Sequence, residues 1–283
     1  MASKSANFGS SLAVPNVQQL MKEPINTIPP RYIRTNQDPP IISGAATLPA
    51  VPAIDLQKLL SVESSDLERA RLHSACQEWG FFQKSKLDTL DVYSLEMKKL
   101  ALALLEQMGK ALKMETGEIT KIFDDGLQGM RMNYYPPCPR PEQVIGLSPH
   151  SDAVGITILL QLNELEGLQI KKDGNWIPVK PLPDSFIVNI GDIMEIVSNG
   201  IYRSIEHRAT VNSKKERLSM ATFYSPNPDG EVGPARSLIG PGRPALFRRK
   251  GVADYFKALF TRKLDGKSYI EAMRIQNGEG GAN

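Results

Sequence analysis

The rhythm of hydrophobic and polar positions changes along the chain, and each change predicts a different element. Ser65-Asp66-Leu67-Glu68 has the form of a capping box, in which a Ser hydroxyl and a Glu three residues later satisfy free amides at a helix start. Leu72, Ala75, Cys76 and Trp79 follow at i, i+3, i+4 and i+7, the spacing of one apolar helix face. Gly80 is placed to end that helix, and Phe81-Phe82 predicts a buried strand. A longer helix is predicted from about Thr89 to Met114, its apolar surface supplied by Leu95, Leu100, Leu102, Leu105 and Met108 and packed across a sheet.

From residue 130 the pattern becomes short β-like runs: MRMNYY, GITILLQL, GLQIKK, NWIPVK, SFIVNIGD, IYRSIEHRATV and RLSMATFYS. Pro136-Pro137, Gly167, Asp173-Gly174, Pro181, Pro183 and Asn199-Gly200 punctuate them closely, and Gly191-Asp192 reads as a further turn. Many short strands with regular turns predict a mainly β fold with flanking helices, organised as a double-stranded β-helix, or jelly roll. VADYFKALFTRKL and SYIEAMRIQ read as terminal helices before a disordered NGEGGAN end. Before residue 53 the chain is rich in Pro, Ser and Asn. It predicts a short helix near Val17–Met21, an extended arm wrapping the surface, and a short strand at VPAIDL. The expected division is an N-terminal region, 1–87, followed by a jelly-roll domain with its packing helices, 88–283.

Composition narrows the function. With 34 basic and 31 acidic residues among 283, the net charge of +3 is too small and too evenly spread to point to nucleic acid or a membrane surface. Cys76 and Cys138 form no CxxC pair and no disulfide framework, which favours a reducing compartment. No run approaches a membrane span, and the first residues lack a charged-then-apolar leader pattern. The expectation is a cytoplasmic protein, monomeric, acting on a small molecule.

The candidate chemistry begins at Pro149-His150-Ser151-Asp152. In an extended strand, residues i and i+2 share a face, so His150 and Asp152 can converge on one ion while Ser151 points away. His207 lies in another strand-like run. Two imidazoles and one carboxylate leave open positions on an octahedral metal, the facial arrangement of Fe(II) oxygenases. The third histidine, His73, sits on the first predicted helix and reads as a surface structural residue. Asp192 is given no metal role. Glu195 and Glu206 are conceivable competing ligands, although Glu206 should face away from His207.

Arg217 and Ser219 share a strand face and can together meet a carboxylate, which an arginine fork grips with two hydrogen bonds. A 2-oxoacid chelating the metal could place its far carboxylate there. Asn133 and Tyr135 alternate onto one face and could touch the same molecule.

N-Y-Y-P-P-C-P at 133–139, H-S-D at 150–152, G-L-Q-I at 167–170, V-N-I-G-D at 188–192, S-N-G-x-Y-R-S-x-E-H-R at 198–208 and R-L-S at 217–219 together resemble the plant 2-oxoglutarate- and Fe(II)-dependent dioxygenases. The chain is most similar to the senescence-related-protein-like group that includes the opium-alkaloid O-demethylases. The resemblance implies Fe(II), 2-oxoglutarate as co-substrate, ascorbate in support, and O2. It implies oxidation of a small plant metabolite such as an alkaloid or flavonoid by hydroxylation, O-demethylation or desaturation, with release of succinate and CO2. It maps the metal ligands to His150, Asp152 and His207, and the co-substrate residues to Arg217 and Ser219, supported by Asn133 and Tyr135.

The chain departs from the family pattern after Gln83, where Lys84-Ser85-Lys86-Leu87 replaces a longer strand, helices and part of a substrate wall. A strand cut at Gln83 would leave its neighbours with unpaired backbone groups. An alternative reading is therefore a truncated family member that binds metal or a partner without turning over substrate. A cupin-like hydrolase or zinc protein is a third.

Overall fold

A computed structural model of the chain describes residues 33, 38, 49–55, 58, 59, 61, 65–85, 90–260 and 266–275. The helix expected near Val17–Met21, the link at 86–89 and the end after residue 275 lie outside the described residues.

Helix α1 (Ser65–Ser74) runs into a π-helical turn at Ala75–Trp79, and Gly80, at φ +65°, closes it by donating its N–H to Ala75 O. Glu68 does not act as a capping-box residue. It is buried, and its Oε1 accepts the Asp55 N–H at 2.8 Å while Oε2 accepts from Arg71. Strand β1 (Phe81–Ser85) follows, and then helix α2 (Leu90–Ala111). The buried stripe of α2 is Tyr93, Met97, Leu100, Ala101, Leu104, Leu105 and Met108, whereas Leu95 faces solvent. The 3.6-residue period selects the first set and rotates Leu95 off it. Helix α3 (Glu118–Phe123) leads to strands β2 (Leu127–Tyr135), β3 (Ile145–His150), β4 (Ile156–Gln161), β5 (Leu168–Lys172), β6 (Asn175–Pro178) and β7 (Ser185–Ile190). Then come helix α4 (Asp192–Val197), strands β8 (His207–Thr210) and β9 (Arg217–Ser225), the short pair β10 (Glu231–Val232) and β11 (Lys250–Gly251), and helices α5 (Val252–Phe260) and α6 (Ser268–Glu271).

The strands form a five-stranded antiparallel sheet, β1-β7-β4-β9-β2, and a four-stranded one, β3-β8-β5-β6. This is the jelly-roll core expected from the spacing of short strands. In the larger sheet Ile158, Leu160, Phe186, Val188 and Tyr224 join the residues of α2 in the main core. Each such side chain, fully buried, contributes roughly 1.5–3 kcal/mol. The alternate positions Thr157, Asn189, Asn133, Tyr135, Arg217 and Ser219 face inward, as the two-residue strand period requires. Phe81, Leu168, Ile170, Ile177 and Ile187 make a smaller apolar core on the inner side.

Three expectations are corrected. Of VPAIDL, the described residues 51–55 form a single parallel bridge, Ala53 to Gln83, and not a strand. Gly191-Asp192 is not a free turn, because Asp192 opens the buried helix α4. In IYRSIEHRATV only His207–Thr210 is strand; the Ser204 N–H before it is taken by the Glu195 carboxylate and cannot join a ladder. The junction after Gln83 is also sounder than expected. Strand β1 continues to Ser85 and pairs with β7 throughout, from Phe81 opposite Asn189 to Ser85 opposite Ser185, so β7 keeps partners on both edges.

Candidate metal centre

His150 ends strand β3, and the chain runs on through Ser151 and Asp152 before it bends at 153–155. Asp152 therefore lies just beyond the strand, two residues on from His150, and both side chains line the same cavity. His207 begins β8 directly opposite His150 in the β3–β8 register. Asp152 Oδ1 stands 3.5 Å from His150 Nε2 and 3.6 Å from His207 Nε2, and one donor atom from each residue lies within 4.8 Å of the others. The imidazole centroids are 4.3 Å apart.

The surroundings orient each donor. His150 Nδ1 lies 2.8 Å from Ser148 O and His207 Nδ1 3.2 Å from Ile205 O. A backbone carbonyl can only accept, so each Nδ1 carries the proton and each Nε2 keeps its lone pair. Asp152 Oδ2 accepts from Thr157 Oγ1 at 2.6 Å and from Asn189 Nδ2 at 2.9 Å, which leaves Oδ1 turned toward the two Nε2 atoms. Phe81 meets the His207 ring edge-on at 5.5 Å. Burial pushes His207 down to about 4, while burial acting on Asp152 is overcome by the two histidines and its donors, which hold it well below the usual carboxylate range. At His150 burial acts downward and the Asp152 hydrogen bond and charge outweigh it, so the net direction is upward. Two imidazoles, each with Nε2 turned toward the same ionised carboxylate, form a donor set that suits a divalent metal and leaves a face open.

These groups line one cavity of about 420 Å³ that also contains Arg217, Ser219, Asn133 and Tyr135. Arg217 is buried, with Nη1 3.4 Å from Ser219 Oγ and its guanidinium 5.3 Å over the Tyr135 ring. Gln161 Oε1 accepts from both Nε (3.1 Å) and Nη2 (2.8 Å), which fixes the plane of the fork. Gly167 is needed beside it, since a Cβ there would lie 2.6 Å from Arg217 Cδ. Asn133 pairs with Ser219, and Tyr135 with Arg217, across the β2–β9 ladder. Phe223, further along the same face of β9, also lines the cavity, together with Phe256, Leu259, Phe260 and Tyr269.

Sequence reasoning missed Thr157, Asn189 and Gln161, whose roles depend on contacts across strands. It also placed His73 at the surface, whereas His73 Nδ1 sits 3.0 Å from the Tyr202 hydroxyl and burial lowers its pKa. Glu206 faces Lys171 at 3.4 Å, away from the ligand cluster.

The sequence profile of the 2OG-Fe(II) oxygenase superfamily matches residues 126–226. A flavonoid 7-O-demethylase of Ocimum basilicum, described as oxoglutarate-dependent, is 41% identical, with 97% of this chain and 94% of that protein covered. The chain belongs to the 2OG-Fe(II) oxygenase superfamily. Codeine O-demethylase of Papaver somniferum is 43% identical, covering 95% of this oxygenase and 98% of the relative. The crystal structure of JOX2 in complex with 2OG, Fe and JA superposes with a TM-score of 0.82 at 30% identity, over 93% of this chain and 98% of that one. The alignment to codeine O-demethylase runs over 352 positions against 283 residues here, so at least 69 positions within the matched span have no counterpart in this oxygenase. Its relatives are 2-oxoglutarate-dependent dioxygenases, which sets the zinc-hydrolase reading aside.

Proposed function

We propose that this oxygenase oxidises a small plant specialised metabolite, such as an alkaloid or flavonoid, by hydroxylation, O-demethylation or desaturation. His150, Asp152 and His207 hold Fe(II). Arg217 and Ser219 take the far carboxylate of 2-oxoglutarate, with Asn133 and Tyr135 beside it. The observation that carries the reading is the free Asp152 Oδ1 aimed, with two Nε2 lone pairs, into the cavity that also holds the Arg217 fork. Bound Fe(II) with 2-oxoglutarate and O2 supplies the oxidant, and ascorbate supports it by keeping the metal ferrous.

The protein's own residues do the rest. Thr157 and Asn189 keep the carboxylate turned, and the two backbone carbonyls keep both imidazoles in the ligating tautomer. Gln161 holds the fork. The aromatic wall of Phe223, Phe256 and Tyr269 favours an apolar, ring-containing substrate and limits water at the reacting carbon. Among the described residues no helix is long and apolar enough to cross a membrane, and the charge of +3 fits a cytoplasmic monomer that serves neither nucleic acid nor lipid.

The absent positions favour a second reading, a shortened member that binds metal without coupled turnover. Anaerobic titration with Fe(II) and 2-oxoglutarate, followed by their charge-transfer band, and then 2-oxoglutarate consumption with a panel of methylated alkaloids and flavonoids, separates the two. Succinate formed in step with an oxidised product supports the oxygenase. A band without coupled product supports the shortened binder. Absence of the band sinks the oxygenase and leaves only a member that binds metal or a partner without 2-oxoglutarate.

A further inference from the structure

Residues 266–275 lie against the turn that carries His150 and Asp152. Gly266 N–H donates to Pro149 O at 3.2 Å, and Gly266 O accepts the Ser151 N–H at 3.1 Å, which makes a parallel bridge at His150. Gly266 adopts φ +48°, where glycine meets little resistance. It and Tyr269 line the cavity. The adjacent Lys267 sends its ammonium inward to Glu195 Oε2 at 2.7 Å and to Ser204 O at 2.6 Å. Glu195 is 3% exposed; it accepts the Ser204 N–H as well and, through Oε1, Arg274 Nη2 at 3.0 Å. One buried carboxylate thus grips the strap on both sides of α6, while Ile270 and Met273 sink into the core between.

A carboxylate is costly to bury and is retained where its partners are fully engaged. Glu195 takes no part in the ligand cluster, yet its first strap contact is to the residue next to Gly266. We propose that Glu195 is a positioning residue: by holding Lys267 it keeps Gly266 paired with Pro149 and Ser151, and so sets the turn that aims His150 and Asp152 into the cavity. This rests on the assignment of those two residues as metal ligands. Arg274 holds the far end of the strap through the other oxygen of Glu195, and it makes no contact of its own with Gly266 or Lys267.

The two ends can be separated. Lys267→Met should speed amide exchange at Ser151 and Gly266 at least tenfold in the metal-free protein. It should also weaken Fe(II) binding roughly tenfold, as expected when a group behind a metal ligand is lost. Glu195→Gln should act in the same direction, and Lys267→Arg should recover most of the loss. Arg274→Met should leave Ser151 exchange and Fe(II) affinity within about twofold of wild type. A Lys267→Met protein with unchanged Ser151 exchange overturns the proposal, as does loss of Fe(II) affinity in both variants merely in proportion to lost thermal stability. Because exchange is read without metal, a wild-type protein that failed to bind Fe(II) would refute the ligand assignment and still leave the strap measurement interpretable.

Discussion

Thr157 and Asn189 stand directly opposite each other in the β4–β7 ladder, and both donate to the same oxygen of Asp152. A carboxylate held at one oxygen by two donors cannot rotate, so its other oxygen is committed to the histidine pair. Thr157→Val or Asn189→Ala alone should weaken Fe(II) binding by roughly tenfold, the lower end of the usual effect of removing such a support. The double variant should lose more than the product of the two, because either donor alone still restrains the rotation. Anaerobic calorimetric titration measures this. A double variant that binds Fe(II) as wild type does would show that Asp152 needs no such hold.

The Arg217 fork makes a different demand. Each hydrogen bond to a charged group contributes about 1.5–3 kcal/mol, so Arg217→Ala should raise the 2-oxoglutarate concentration for half-maximal turnover by roughly 100-fold, at about 1.4 kcal/mol per factor of ten. Lysine should recover little, since an ammonium cannot present two parallel donors. Gln161→Leu, which frees the guanidinium plane, should cost roughly tenfold. Fe(II) affinity should stay unchanged in all three. Steady-state kinetics with varied 2-oxoglutarate, beside a metal titration, provides the check.

The parts of this site that were legible in the sequence are those that act through their own chemistry. His150 and His207 are two of only three histidines in the chain, Asp152, Arg217 and Ser219 stand at telling spacings from them and from each other, and each carries a group whose chemistry suggests a ligand. The i, i+2 spacing of His150 and Asp152 does bring the pair together, although Asp152 itself lies just past the strand end. Thr157, Asn189 and Gln161 were illegible because a threonine or an amide on a strand acquires its role only from the strand beside it. Helix α4 was missed for a related reason. All six residues of DIMEIV are buried, its two acids included, so no solvent-facing side marks a helical period, and a run this short is too brief for periodicity to decide between helix and strand. Leu95 shows the limit of counting apolar residues without phasing them.

Titration should expose two buried groups that pull in opposite directions. Burial lowers His207 from 6.5 to about 4. Between those values the unfolded chain binds the extra proton, so this residue makes stability rise with pH. Burial raises Asp192 from 3.8 to about 7. Across that window the native state holds the extra proton, so this residue makes stability fall as pH rises. The two slopes largely cancel in the wild-type metal-free protein between pH 4 and 6.5. Asp192→Asn removes the second, and the variant should then gain roughly 3 kcal/mol on going from pH 4 to 6.5, since a one-proton difference between the two states is worth about 1.4 kcal/mol for each step of one in pH. Denaturant unfolding in the presence of a chelator at a series of pH values measures the difference. Parallel curves for variant and wild type would refute it.

The backbone that carries Asp152 is laced to the start of α4, and Gly191 marks where the two chains touch. Gly191 N–H donates to Gly155 O at 2.9 Å, Asp192 N–H to Asp152 O at 2.7 Å, and Ile193 N–H to Val154 O at 3.1 Å. Gly191 has an ordinary φ of −95°, so its requirement is space and not conformation. A Cβ would collide with Val154 O and lie 2.7 Å from the Val154 carbonyl carbon and 3.0 Å from Asp152 O. These are backbone atoms, which cannot swing aside as a side chain does. Gly191→Ala should therefore push the turn off β7 and carry the Asp152 carboxylate away from the histidines. Overpacking of this kind costs about 1–3 kcal/mol of stability, a loss the large core should survive, while Fe(II) affinity should fall more than 100-fold, beyond the roughly tenfold expected from losing a single support. Gly129→Ala on β2 is the control, since its added Cβ meets nothing within 4 Å, and it should bind Fe(II) normally. Circular dichroism with Fe(II) titration of both proteins decides the matter. A Gly191→Ala protein that keeps wild-type affinity would mean that the turn holds its shape without this close approach.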